Sequence, residues 1–169
     1  MDNEYCLWLL PEEKIYSKYL GIISQIASKY QTKKFIPHVT LIKRLSIKEK
    51  NVISLTDKFV KSLEPVKIKF EKFGYTERKY RCLFISVSKT PEIRKAHIKA
   101  NEIFKHIEEL FLPHLSIIYG SLPIEIKREI SESLKPLEKD SFILNRLVIY
   151  ETGDKNEDLW KEVKRYNLD

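Results

Sequence analysis

Apolar and polar residues follow two different periods along this chain, and the switches between them mark its elements. Glu4 to Leu10 is almost wholly apolar after the glutamate, which suits a strand buried on both faces. Pro11-Glu12-Glu13 then supplies a helix start: proline fits the first helical position, and acids complement the positive end of the helix dipole. Ile15, Tyr19, Ile22, Ile23 and Ile26 recur at helical spacing up to about Tyr30. A short basic loop leads into a strand over Val39 to Leu45. Ser46-Ile47-Lys48-Glu49 has the capping-box form, and Val52, Leu55, Phe59, Val60 and Leu63 make the stripe of a second helix.

Val66 to Tyr75 alternates strictly at first, with Val66, Ile68 and Phe70 on one side and Lys67, Lys69 and Glu71 on the other. That is a strand with one wet face. The polar segment Thr76 to Lys79 reads as a hairpin loop before a more buried strand, Arg81 to Val87. Thr90-Pro91-Glu92 is an N-cap followed by proline in the first turn, and it opens a helix to about Leu110. A strand over Leu115 to Tyr119 follows, closed by Gly120. Pro123 begins a fourth helix ending near Pro136, Phe142 to Tyr150 is a strand, Thr152 to Asp158 a polar turn, and Trp160 to Leu168 the last strand.

One segment occurs twice. Phe35-Ile36-Pro37-His38-Val39-Thr40-Leu41-Ile42 lies against Phe111-Leu112-Pro113-His114-Leu115-Ser116-Ile117-Ile118. The copies are 114 − 38 = 76 positions apart, close to half of the 169 residues, and each is preceded by a long helix and followed by a shorter one. This order predicts an α+β fold of two lobes related by a pseudo-two-fold. Each lobe is a mostly antiparallel sheet with helices on the outside, and residues 1–169 form a single two-lobed domain.

Composition narrows the setting. A 43% hydrophobic and 33% charged chain is ordinary for a globular protein. No apolar run is long enough to span a bilayer, and Met1-Asp2-Asn3-Glu4 is acidic, unlike a secretory signal. The expected setting is cytoplasmic, without a membrane partner, and the expected state is a monomer. Cys6 and Cys82 are too few for a zinc framework. They read as free buried thiols, with a single disulfide as the alternative. The net charge of +7 and pI near 9.2 suit an anionic ligand, but no basic run exceeds two residues, as at Lys33-Lys34.

The repeated segment carries the chemistry. Residues i and i+2 of a strand project from the same face about 6.5–7 Å apart, so each copy offers one imidazole and one hydroxyl together. Two facing copies gather His38, Thr40, His114 and Ser116 around one pocket suited to a phosphate. One imidazole would deprotonate a water while the other protonates a leaving sugar oxygen. The hydroxyls would donate to the non-bridging oxygens. Side chains then supply both proton transfers, so this scheme needs no metal and no cofactor. Core packing explains repeated apolar residues but gives no reason to repeat histidine. His97 and His106, nine positions apart on one predicted helix, turn to opposite faces and are assigned to helix surface or packing.

His38-x-Thr40 and His114-x-Ser116 resemble the paired signature of the 2H phosphoesterase superfamily. Within it, the likeness is greatest to the cyclic phosphodiesterase family of plants and yeast. That likeness rests on Leu7-Trp8-Leu9 before Pro11, Pro37-His38-Val39-Thr40, Thr90-Pro91-Glu92 and Pro113-His114-Leu115-Ser116-Ile117-Ile118-Tyr119-Gly120. The resemblance implies a bilobal fold with its active site in the central cleft, and ring opening of a cyclic phosphate. Implied substrates are ADP-ribose 1″,2″-cyclic phosphate and nucleoside 2′,3′-cyclic phosphates, opened to 2′-phosphates, in the metabolism of tRNA-splicing by-products. His38, Thr40, His114 and Ser116 match the family's catalytic positions.

Tyr119 matches a tyrosine near the ligand, although strict alternation sends it to the face opposite His114 unless the strand twists or ends at Gly120. Trp8 matches a tryptophan placed to stack on a base or line the cleft, and equally suits the core of a central strand. Two other readings stand beside this one. The same residues serve RNA ends with 2′,3′-cyclic phosphate, or 2′,5′-linked oligonucleotides, in a groove begun by Lys33, Lys34, Lys43 and Arg44. Alternatively the chain is a non-catalytic RNA-binding module, against which the intact histidines and hydroxyls speak.

Overall fold

The computed structural model describes residues 3–107, 110–153 and 156–169. Its strands are β1 (Tyr5–Pro11), β2 (Val39–Leu45), β3 (Val66–Tyr75), β4 (Leu83–Val87), β5 (His114–Ile118), β6 (Ser141–Glu151) and β7 (Lys161–Asn167). Its α-helices are α1 (Glu13–Tyr30), α2 (Glu49–Phe59), α3 (Pro91–Phe104) and α4 (Ile124–Ser133). No described helix is long and apolar enough to cross a membrane.

Every strand pairing is antiparallel, in the order β1-β2-β5-β4-β3-β6-β7. The two expected sheets are the two halves of this array, β3-β4-β5 and β2-β1-β6-β7. They meet at two seams. One is the single bridge Val39–Leu115 between β2 and β5. The other is β6, long enough for Ser141 to Leu144 to pair with β3 while Arg146 to Glu151 pairs with β7. Because β6 also pairs with β1, six strands form a closed circuit of neighbours. β1 lies between β2 and β6, and all seven of its residues are buried, as its unbroken apolar run requires.

The helices cross over: α1 packs on β5 and β1, whereas α3 packs on β2 and β3. Tyr19, Ile23 and Ala27 form the buried stripe of α1, and each large side chain so buried contributes roughly 1.5–3 kcal/mol. One contiguous core draws on both halves, from Leu7 and Val39 to Leu115 and Ile149.

Several boundaries differ from the pattern-based ones. Pro11 ends β1 instead of opening α1, because its position still pairs with Leu144 of β6. Ser46 caps nothing: α2 starts from Lys48 without a side-chain cap, so the capping-box form is coincidental. Thr90 does cap α3, its hydroxyl accepting from the Ile93 amide. That helix stops at Phe104, where Lys105 takes a left-handed conformation, and not near Leu110. Residues 108 and 109 of that predicted helix, and 154 and 155 of the predicted turn, lie outside the described residues, as do Met1 and Asp2. Cys6 and Cys82 are both free and buried.

Candidate active site

The Val39–Leu115 bridge is the local two-fold of the site. In an antiparallel pair, that register sets His38 across from Ser116 and Thr40 across from His114. Val39 and Leu115 are fully buried in the core. Their neighbours in sequence therefore project from the other face, into a cleft of about 490 Å³. Trp8, His38, Thr40, His114, Ser116 and Tyr119 all line it.

Both imidazoles are held alike. Nδ1 of His38 lies 2.7 Å from the Ile36 carbonyl, and Nδ1 of His114 lies 2.7 Å from the Leu112 carbonyl. A carbonyl only accepts, so each Nδ1 carries a proton and each Nε2 presents its lone pair. Pro37 and Pro113 stand between histidine and carbonyl in both copies. Their fixed φ sets the bend that brings residue i−2 back over the ring. Thus the repeated proline of the motif fixes a tautomer.

The surroundings then break the symmetry. His38 is 5% exposed and lies flat against Trp8, with centroids 3.7 Å apart and planes at 12°. Burial carries its pKa from the usual 6.5 down to about 3; the Ile36 bond opposes this, and the charge of His114 adds to it. His114 is half-buried, with Phe84 edge-on at 5.3 Å. Burial lowers its pKa as well, and Arg81 and Lys43 add to the shift.

Tyr119 reaches the cleft through an irregularity in β5. Phe84 pairs with Ser116 but Leu83 pairs with Ile118, so the register slips by one residue and Ile117 and Ile118 both enter the core. Alternation restarts beyond this bulge. The Tyr119 hydroxyl donates to His38 Nε2 at 3.2 Å, and its ring stacks on Phe35 at 3.7 Å. β2 bulges at the equivalent place, where Leu41 and Ile42 are both buried, and Lys43 turns into the cleft. One residue further on, Arg44 (φ 57°) and Gly120 (φ 143°) both take positive φ. The duplication therefore extends into backbone geometry, while the side chains Lys43 and Tyr119 diverge.

The hydroxyls differ too. Ser116 donates to the Tyr80 carbonyl at 2.9 Å. Thr40 is half-buried at the cleft wall. Trp8 stacks on Tyr150 at 4.3 Å and 20°, and two near-parallel rings this close must occupy opposite faces of the indole. With His38 on one face and Tyr150 on the other, only the edge of Trp8 meets the cleft, so its geometry supports His38 and leaves no face for a base.

Sequence reasoning missed one wall. The β3–β4 hairpin brings Arg78, Tyr80 and Arg81 to the cleft that Lys43 and Arg44 also line. Tyr80 is 41% exposed and leans on Trp160 with centroids 5.3 Å apart. The signal was present as Arg78-Lys79-Tyr80-Arg81, a basic segment with an aromatic inside it, but a hairpin tip gives no hint of what it folds over. Of the four basic residues singled out near the first motif, Lys43 and Arg44 line the cleft, whereas Lys33 pairs with Asp158.

The sequence model of the 2′-5′ RNA ligase superfamily matches residues 23–156. A cyclic phosphodiesterase of Arabidopsis thaliana is 26% identical, over 97% of this chain and 94% of its own. A 2′,3′-cyclic-nucleotide 3′-phosphodiesterase of Phaeosphaeria nodorum is likewise 26% identical, over 96% of this chain and 97% of its own. Among solved structures, Escherichia coli LigT complexed with 3′-AMP aligns over 99% of both chains at a TM-score of 0.61 and 10% identity, a likeness of fold.

Proposed function

The chain belongs to the 2′-5′ RNA ligase superfamily, the 2H phosphoesterases, and we propose that it opens cyclic phosphodiesters by two-histidine acid–base catalysis. It is a hydrolase acting on cyclic phosphodiesters, a class to which both curated relatives are assigned by name. One observation carries the mechanism. Two imidazoles locked as the same tautomer point their Nε2 atoms into one cleft, with a hydroxyl across the strand pair from each.

His114 is the more open of the two and takes the proton of the attacking water. His38, enclosed by Trp8 and Tyr119, takes up a proton on Nε2 as the anionic substrate binds and delivers it to the departing sugar oxygen. A bound phosphate raises the pKa of both, because an adjacent anion favours the imidazolium. Thr40 donates to a non-bridging oxygen as charge builds on it, and Ser116 joins it only by releasing the Tyr80 carbonyl.

The finer substrate reading is ADP-ribose 1″,2″-cyclic phosphate, with nucleoside 2′,3′-cyclic phosphates opened to 2′-phosphates. Two features support it. The cleft has the volume of a nucleotide-sized ligand. Lys43, Arg44, Arg78 and Arg81 offer more positive charge than one phosphate needs. The deciding assay uses purified protein in EDTA against both substrate types and 2′,5′-oligoadenylate, with His38→Ala and His114→Ala alongside. Turnover of the cyclic phosphates, lost in both variants, is expected. Activity on the oligonucleotide alone would move the chain to the RNA reading, and retained turnover in either variant would sink the mechanism.

A further inference from the structure

His97 lies behind the cleft on α3, 5% exposed, with both ring nitrogens engaged. Nδ1 donates to the Leu41 carbonyl at 2.9 Å, and Nε2 accepts from the Asn101 amide at 2.9 Å. Its ring lies flat on Phe111, with centroids 3.8 Å apart and planes at 6°. We propose that His97 is a positioning residue that couples the two halves of the active site, an inference that rests on the catalytic reading of the cleft.

What separates His97 from an ordinary satisfied core histidine is where its contacts fall. Leu41 follows Thr40 directly and belongs to the bulge that turns Lys43 into the cleft. A bulge leaves a backbone group without a ladder partner, and His97 supplies a partner there. Phe111 precedes Leu112, whose carbonyl fixes the tautomer of His114. One side chain therefore holds the strand of the first motif and the approach to the second. Leu41 stands one residue from Thr40 and Phe111 three from His114, both of which must meet substrate. The helix that carries it packs on β2, the strand of the opposite half.

The duplication offers no second copy of this device. The position in α1 that mirrors His97 is 97 − 76 = 21, which is glycine. Phe35, the mirror of Phe111, stacks instead on Tyr119. Each half thus fixes its motif phenylalanine against a ring, and only one of those rings, His97, also ties down the other half's backbone.

Three variants test the role. His97→Asn keeps a donor near the Nδ1 position, His97→Phe keeps a ring on Phe111 without a donor, and Phe111→Leu keeps the donor without the stack. Expected is a kcat within about threefold of wild type for H97N, against a fall of about 10–100-fold for the other two, because displacements near 1 Å can cost that much. KM should change by less than about threefold in all of them, as the contacts set geometry and not affinity. Long-range 1H–15N spectra of the imidazoles give a readout that needs no substrate: His114 stays a single Nδ1–H tautomer in wild type and H97N, and becomes a mixture in F111L. Wild-type kcat together with an unchanged His114 tautomer, in H97F or in F111L should H97F not fold, would overturn the proposal. A wild-type protein inert on every cyclic phosphate would reject the catalytic reading instead, and the tautomer comparison would still decide whether His97 orients His114.

Discussion

The Tyr119 hydroxyl, carried by the residue after β5, donates to Nε2 of His38 at the entrance to β2 across 3.2 Å. The mirror position holds Lys43, whose charge acts on His114. A phenol guards one imidazole and an ammonium lies near the other, so the pseudo-symmetric motifs are chemically unequal. Tyr119→Phe keeps the stack on Phe35 and removes the donor. When His38 becomes the imidazolium that acts as acid, the hydroxyl turns to accept from its Nε2–H. A hydrogen bond to a charged group contributes about 1.5–3 kcal/mol, so kcat should fall by about tenfold or more in this variant. Steady-state kinetics on a nucleoside 2′,3′-cyclic phosphate checks it, and an unchanged kcat would show that the hydroxyl is idle in the reaction.

The two hydroxyls should separate by readout. Ser116 spends its proton on the Tyr80 carbonyl and is 5% exposed, whereas Thr40 stands at the cleft wall. Thr40→Ala should lower kcat by about 10²–10³-fold with little change in the melting curve, as loss of an anion-stabilising donor does. Ser116→Ala should cost less in kcat but about 1–3 kcal/mol of stability, because it strands a carbonyl. Equal kinetic losses with equal melts would mean that the hydroxyls are interchangeable.

Much of this site was legible in the residues alone, for identifiable reasons. The four groups of the motif follow from i, i+2 geometry, which is local, and their convergence follows from a repeat spaced at half the chain. Tyr119 did not follow, because its side depends on a bulge that forms only when Ile117 and Ile118 both find room in the core. Trp8 left two readings open, and the stacking of His38 and Tyr150 on its two faces is a tertiary fact that no periodicity encodes. The Arg78–Arg81 wall escaped for the same reason. His97, assigned to helix surface or packing, is buried, and its partners Leu41 and Phe111 lie outside the helix that carries it, where helical phase gives no sign of them.

Burial makes the site sensitive to acid. His38 is held neutral with its pKa lowered from 6.5 to about 3, and that of His114 is lowered too. Between those limits the unfolded chain binds more protons than the native one, so stability rises with pH. The contribution is complete above about pH 6.5 and is lost as pH falls towards 3. Urea midpoints should therefore drop from pH 7 to pH 5, and drop less in His38→Phe, which cannot take up the proton. The profile of kcat/KM reports the free enzyme, so its alkaline limb should begin below pH 6.5, while the kcat profile lies at higher pH because bound phosphate raises both values. Coincident profiles would contradict this.

Lys127 of α4 is wholly buried, and its Nζ donates to the Thr76 carbonyl at 3.0 Å and to the Glu77 carboxylate at 2.8 Å. It thereby anchors the hairpin that carries Arg78, Tyr80 and Arg81. Lys127→Met fills the same space, and Glu77, with 82% of its side chain exposed, regains water, so stability should change by only about 1 kcal/mol. The freed hairpin should instead raise KM about fivefold, the equivalent of one lost hydrogen bond. A lower melting temperature with unchanged KM would make Lys127 a matter of stability alone.

Assignment of acid and base is open to a direct test with leaving groups. If His38 protonates the departing oxygen, a leaving group that needs no proton makes it dispensable, whereas water still needs a base. On a phosphodiester with a p-nitrophenolate leaving group, His38→Gln should recover most of the activity it loses on a cyclic nucleotide. His114→Gln should remain depressed by about 10²–10⁴-fold on both, the usual contribution of a general base. The reverse pattern would exchange the two roles, with water entering from the Trp8 side. That outcome would also require the Tyr119 hydroxyl to leave His38 Nε2 before a water could be deprotonated there, so in that case Tyr119→Phe should speed the reaction instead of slowing it.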